Sequence, residues 1–142
     1  MARVLLVVAQ FYEDLASQLV QGACHELHNL GMDYDTVNVP GTLEIPAAIS
    51  FSLQHESYDG YIALGCVIRG ETSHYDVVCQ SVTAGINHLV LTHKLPLGFG
   101  VITAENMEQA ANRADPSLRN YGGKAARACI EMMKLKAHWS AI

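Results

Sequence analysis

This sequence has no CxxC pair, no basic run, no GxGxxG after its first strand pattern and no apolar stretch of membrane-spanning length. Each absence removes a class of function. It also has no RNA-binding aromatic motif, and Lys+Arg 9 against Asp+Glu 14 leaves a net charge of −5, so nucleic acid is not an expected partner. Without the glycine fingerprint, a dinucleotide oxidoreductase is a poor fit. Met1-Ala2-Arg3 leads into Val4–Val8, only a strand's length of apolar sequence, with no signal-peptide cleavage region. The expectation is a cytoplasmic protein without membrane contact.

Cysteine is present but scattered. Cys24, Cys66, Cys79 and Cys129 each fall within a strand or helix pattern, where Cys behaves as a small buried hydrophobe. Reduced core thiols are therefore expected, not disulfides or zinc. His25 and His28 could share a helix face, but no Cys or carboxylate pattern completes a metal site. No metal is expected.

What is there is apolar and periodic. Half of the 142 residues are hydrophobic, and a single domain over 1–142 is expected. A chain of that length buries roughly two thirds of its unfolded surface. Arg3–Ala9 reads as a first strand. Leu15, Leu19, Ala23, Leu27 and Leu30 make one face of a helix ended by Gly31. Met32–Val39 is a second strand, with Val37 and Val39 alternating against polar neighbours. Pro40-Gly41 turns it, and Ile45-Pro46 opens a helix to about Gln54, with Pro in the first turn where its missing donor matters little. Tyr61–Ile68 is a third strand, followed by a helix carrying Val78, Val82, Ile86 and Leu89. After His93-Lys94-Leu95-Pro96, Leu97–Thr103 is a fourth strand, Glu105–Arg113 a short helix, and Arg119 to about His138 a last one. Alternation of this kind predicts an α/β fold: a flavodoxin-like, three-layer αβα sandwich on a four-stranded parallel sheet with helices on both faces.

In such sheets ligands bind beyond the carboxyl ends of the strands. The chemistry-bearing stretches lie there: Gln10-Phe11-Tyr12, Pro40–Glu44, Arg69–His74 and Thr103-Ala104-Glu105. At the third, a buried strand meets a turn at Arg69-Gly70, and Glu71-Thr72-Ser73-His74 opens a helix. Unpaired backbone N–H groups at such a helix start attract an anion such as phosphate. His74 would stand beside it. The spacing Gly65, Gly70, Glu71, Thr72 nearly spells a nucleotide P-loop, yet Glu71 stands where Lys is needed and would repel a triphosphate. The plainer reading is an ordinary βα turn capped by Thr or Ser.

Taken together, Phe11, Pro40-Gly41-Thr42-Leu43-Glu44-Ile45-Pro46, the run Ala63–Asp76 and Gly98-Phe99-Gly100-Val101-Ile102-Thr103 closely resemble the lumazine synthase family. Glu105–Ala110 and Arg113 continue the likeness, which spans nearly the whole chain in the right order. The resemblance implies a transferase of riboflavin biosynthesis. It would condense a ribitylamino-pyrimidinedione with dihydroxybutanone phosphate to dimethylribityllumazine, releasing phosphate and water, with no cofactor. By the same resemblance Phe11 stacks on the pyrimidine, and Thr42, Leu43 and Glu44 hold the ribityl end. Val67 and Ile68 present backbone groups to the heterocycle, Cys66 is a further substrate-binding residue, and Phe99 closes the pocket. Phosphate would lie on Gly70, Glu71 and Thr72 with Arg113 from a neighbouring subunit, and His74 would shuttle protons. Each residue has a plainer role too. Phe11 could be a strand-end core residue, Glu44 and Arg113 complements to helix dipoles, and His74 a structural helix-start residue.

The chain departs from the family pattern in three places. Asn120-Tyr121-Gly122 stands where many members have Asn-Lys-Gly, and Lys124 is the nearest candidate replacement cation. The chain begins close to its first core strand, whereas many relatives carry an additional N-terminal strand. Asp115-Pro116-Ser117-Leu118-Arg119 differs from the glycine- and lysine-containing kink of the sixty-subunit shells. The expectation is a homopentamer with active sites between subunits that does not close into a shell. Two other readings remain: a flavin- or lumazine-binding module without turnover, and a shell-forming scaffold.

Overall fold

The computed structural model describes residues 2–55 and 57–140. Strands β1 (Arg3–Ala9), β2 (Asp33–Val39), β3 (Gly60–Ile68) and β4 (Leu97–Ala104) run parallel in the order β2-β1-β3-β4. Helices α1 (Glu13–Asn29), α4 (Met107–Ala114) and α5 (Tyr121–Ser140) cover one face of the sheet, and α2 (Ile45–His55) and α3 (His74–His93) cover the other. This is the expected three-layer α/β sandwich. The strand order reverses between β1 and β3, the place where open α/β sheets form a crevice at their carboxyl edge.

Burial explains the layers. Every residue of β3 from Gly60 to Val67 is buried, as is Val4–Ala9 of β1. Their near-continuous apolar runs suit strands covered on both faces. In contrast, β2 is an edge strand exposed from Asp33 to Asn38, with only Val39 buried. Val37 and Val39, expected to alternate against polar neighbours, share one face, but only Val39 is buried, and Val37 is exposed at the edge of the sheet.

The first helix ends as its sequence predicts. Gly31 takes φ +67, its N–H donates to the His28 carbonyl, and the Met32 N–H donates to that of Leu27. That pairing closes the carbonyls a helix otherwise leaves open, and glycine takes the left-handed position without a Cβ penalty.

Three helices begin later than the sequence suggests. The chain from Gly70 to Ser73 stays a turn and α3 opens at His74, not Glu71. Asn106 caps α4 by accepting the Gln109 N–H through Oδ1 at 2.9 Å, so that helix starts at Met107 and not at Glu105. Asp115 organises the turn before α5. Its side chain accepts the Ser117 N–H at 2.8 Å, and its carbonyl accepts the N–H groups of Leu118 and Asn120. These bonds postpone helix formation from Arg119 to Tyr121. They also hold the Asp115 carboxyl below its usual range, the Ser117 hydroxyl contributing most.

Candidate active site

The carboxyl ends of β1, β2 and β3 open into one cavity of about 380 Å³. Its first wall is aromatic. Phe11, just past β1, is 72% exposed and touches Tyr12 edge-on, with ring centroids 4.9 Å apart. A ring left this open after a buried strand is not core packing, so one face is free for a flat partner. Burial raises the Tyr12 hydroxyl above its ordinary range, with Cys66 adding to the effect.

The second wall is the turn after β2. Thr42 opens a 3-10 turn and is only 6% exposed, its methyl group fitting where a side chain on Gly65 would otherwise sit. That close approach is the reason Gly65 carries no Cβ. Glu44 turns back so that Oε1 accepts the Gly41 N–H at 2.9 Å. One carboxylate oxygen is thereby fixed, leaving the other able to accept from hydroxyls. Leu43 is exposed on the same wall.

Cys66, Val67 and Ile68 form the floor where β3 ends. Burial pushes the Cys66 thiol up to about 12, so it stays protonated through neutral pH and cannot serve as a thiolate nucleophile. The third wall carries Gly70, Thr72, His74, Tyr75 and Val78. Space around Gly70 is open, with nothing within 4 Å of the position a Cβ would take. Thr72 Oγ1 accepts the His74 N–H at 3.3 Å, tying the turn to the first residue of α3. His74 itself is exposed at the cavity.

Three expected site residues lie elsewhere in the chain. Glu71 is exposed on the turn but is not on the cavity wall. Arg113 is in the last turn of α4, donating to the Gln109 carbonyl at 3.1 Å. Phe99 does not close this chain's cavity. It pairs in register with Ala63 on edge strand β4, five residues before Ala104, and is 44% exposed. At about 3.3 Å per residue it stands roughly 16 Å down the strand from the carboxyl edge. Lys124 rests over the Tyr121 ring at 5.3 Å on α5, and neither residue lines the cavity.

Tyr12, Tyr75 and Val78 also join the walls, although sequence reasoning assigned them no site role. Arg69 was legible only as the start of a turn, yet it is the most connected charge near the site. Its Nε donates to Glu105 Oε2 at 2.7 Å, and its two terminal nitrogens lie 3.4 Å from the Asp76 carboxylate. Asp76 thus faces Arg69. Among the described residues, no three His, Cys, Asp or Glu side chains are grouped to hold a metal ion, and no helix is long and apolar enough to cross a membrane.

An apolar floor, an exposed ring, a half-committed carboxylate, an open turn and an imidazole therefore surround one space. That set suits a flat heterocycle with a polyhydroxyl chain, together with an anionic partner. Comparison with known proteins points the same way. The family model for 6,7-dimethyl-8-ribityllumazine synthase matches residues 1–137. A protein of that name from Bartonella tribocorum is 48% identical over 134 residues, covering 94% of this chain and 89% of its own. One from Afipia carboxidovorans is 46% identical over 140 residues, covering 95% and 86%. One from Novosphingobium aromaticivorans is 44% identical over 140 residues, covering 99% and 100%.

Proposed function

We propose that this chain, which belongs to the 6,7-dimethyl-8-ribityllumazine synthase family, is itself a lumazine synthase of riboflavin biosynthesis. Its substrates are then a 5-amino-6-ribitylamino-pyrimidinedione and 3,4-dihydroxy-2-butanone 4-phosphate. The observation that carries this reading is the cavity that gathers Phe11, Glu44, Ile68, Gly70 and His74. In it the pyrimidine stacks on Phe11 above Cys66–Ile68, and Thr42, Leu43 and Glu44 take the ribityl chain. The N–H groups of Gly70, Glu71 and Thr72 take the phosphate.

The pyrimidine amine adds to the ketone and water leaves, forming an imine. Phosphate then departs, and the ribitylamino nitrogen closes the second ring with loss of water. Each step moves a proton, and His74 at the start of α3 stands where it can accept and return one. The Cys66 thiol remains a neutral wall.

The site is completed between subunits. Arg113 and Phe99 are outside their own chain's cavity, and Phe99 leaves apolar surface on an edge strand. Both would then serve a neighbouring copy. A contact that gives one copy's side chains to the next is heterologous and must close into a ring or grow as a filament. A ring of five fits the family reading, and the Asp115–Arg119 turn, fixed by Pro116, argues against further closure into a shell.

The test is direct. Purified protein is incubated with both substrates while lumazine fluorescence is followed, and its mass is measured by light scattering. Product formation with a mass of five chains is expected. Binding without turnover would favour the non-catalytic module. A megadalton particle would refute the reading of Pro116, and an active monomer would overturn the shared site.

A further inference from the structure

We propose that Arg69 is a positioning residue that sets two phosphate contacts, the turn before α3 and Arg113 in the last turn of α4. This rests on the proposed synthase reading. Arg69 is the first residue past β3, and its N–H donates to the Ala104 carbonyl at 2.9 Å, joining the ends of two strands. Its side chain then spreads over three segments. Nε donates to Glu105 Oε2 at 2.7 Å, the two terminal nitrogens face Asp76, and the guanidinium carbon stands 4.3 Å from the centre of the Tyr75 ring. Tyr75 and Asp76 directly follow His74 on α3.

The chain of contacts continues on the other side. The Glu105 N–H donates to Gln109 Oε1 at 2.8 Å, and the Gln109 carbonyl accepts from Arg113 at 3.1 Å. Arg69 is thus connected in one direction to the Gly70–His74 turn and in the other to the side chain offered to a neighbour's phosphate.

Folding stability does not account for this arrangement, because ion pairs this exposed add little to it. The guanidinium already faces two carboxylates, which offset its charge toward a phosphate. A planar fork is required, because a single ammonium point charge cannot bridge both carboxylates and also lie flat on a ring.

The experiment measures KM for each substrate separately in Arg69→Met, Arg69→Lys and Glu105→Gln, with folding checked by circular dichroism. Removing a charge-assisted link should raise KM for dihydroxybutanone phosphate about tenfold in Arg69→Met while KM for the pyrimidine moves less than about twofold. Lysine should not rescue it: Arg69→Lys should stay within about threefold of Arg69→Met. Glu105→Gln decides the sign. Positioning predicts weaker use of the phosphate substrate, whereas direct phosphate binding by Arg69 predicts stronger use once the guanidinium is released.

Equal shifts for both substrates would overturn the proposal in favour of a merely structural role. Unchanged KM in the variants, or a lower one in Glu105→Gln, would also overturn it. If Arg69→Met does not fold, the other two variants carry the same decision. Product formation by the unaltered protein tests the synthase reading independently of all three.

Discussion

Helix α5 approaches α1 and β4 nearly backbone to backbone, whereas α2 and α3 meet the sheet through branched side chains. On the first face a Cβ at Gly98 would overlap the Ala125 carbonyl, and one at Gly122 would overlap that of Leu19. Ala125, Ala126, Ala23 and Ala16 pack around these contacts, and Leu15, Leu19, Leu27 and Ile130 fill the rest of that face. On the second face Ile45, Ile49, Val78, Val82 and Ile86 do the packing, and the nearest atoms to a Cβ on Gly85 are those of the Pro46 ring at 3.0 Å. The first face has no slack, while the second can yield through side-chain adjustment. Most of the candidate site belongs to the second: the turns that begin α2 and α3 form two of its walls. The closely packed layer fixes the strands, and the other carries most of the proposed ligand contacts.

This contrast is broken most directly by separating rate from stability. His74 is exposed and supports no core packing, so His74→Ala should leave the melting temperature nearly unchanged. Its kcat should fall by about two to four orders of magnitude, the usual contribution of a positioned acid–base group. Product fluorescence and a thermal melt on the same preparation decide this. A near-normal rate would remove His74 from the mechanism.

The next effect falls on the other face. Gly98→Ala has no room for its methyl group against the Ala125 backbone and should destabilise the fold by about 1–3 kcal/mol or more. Denaturation at fixed protein concentration is the appropriate measurement, since assembly contributes to apparent stability. A variant as stable as the unaltered protein would mean that α5 can slide on the sheet.

What the sequence revealed follows the same division between local and distant causes. The apolar run Tyr61–Ile68 declared a buried strand, Arg3–Ala9 a first strand, and Gly31 the end of α1, because one segment determines each outcome. Phe11, Glu44 and His74 were legible because topology alone brings strand ends together. The position of Phe99 down β4 was not, because its distance from the carboxyl edge depends on the register of β4 against β3. The exposure of Val37 required knowing that β2 lies at an edge. Arg69 draws partners from three segments, a convergence that no spacing rule contains.

Arg113 sharpens the comparison because it is the proposed ligand contact carried on the α1/α5 side, through α4. Losing a charge-assisted hydrogen bond typically costs about 1.5–3 kcal/mol, so Arg113→Ala should raise KM for the phosphate substrate by about ten- to a hundredfold. The pyrimidine should be used as before. Equal loss for both substrates would reassign Arg113 to packing or to subunit contacts.

The smallest expected effect is the most discriminating. Gly85 lies inside α3, half-buried, against the first turn of α2. Replacing a mid-helix glycine with alanine favours the helix by up to about 1 kcal/mol, because the unfolded chain loses freedom. Opposing this, the new methyl would sit 3.0 Å from the Pro46 Cβ and Cγ, close enough that one side must shift slightly. The 3-10 turn at Thr42–Glu44 precedes α2, so that displacement can be absorbed without breaking a strand hydrogen bond. The two terms should nearly cancel, leaving Gly85→Ala within about 1 kcal/mol of the unaltered protein. Pro46 is two residues beyond Glu44, so any shift should register as a change in pyrimidine KM, expected to be less than about twofold. Denaturation curves for Gly85→Ala and Gly98→Ala, run side by side, compare the two faces with the same added methyl group. If both variants lost equal stability, the second face would be as unyielding as the first, and the site would rest on a fully rigid scaffold.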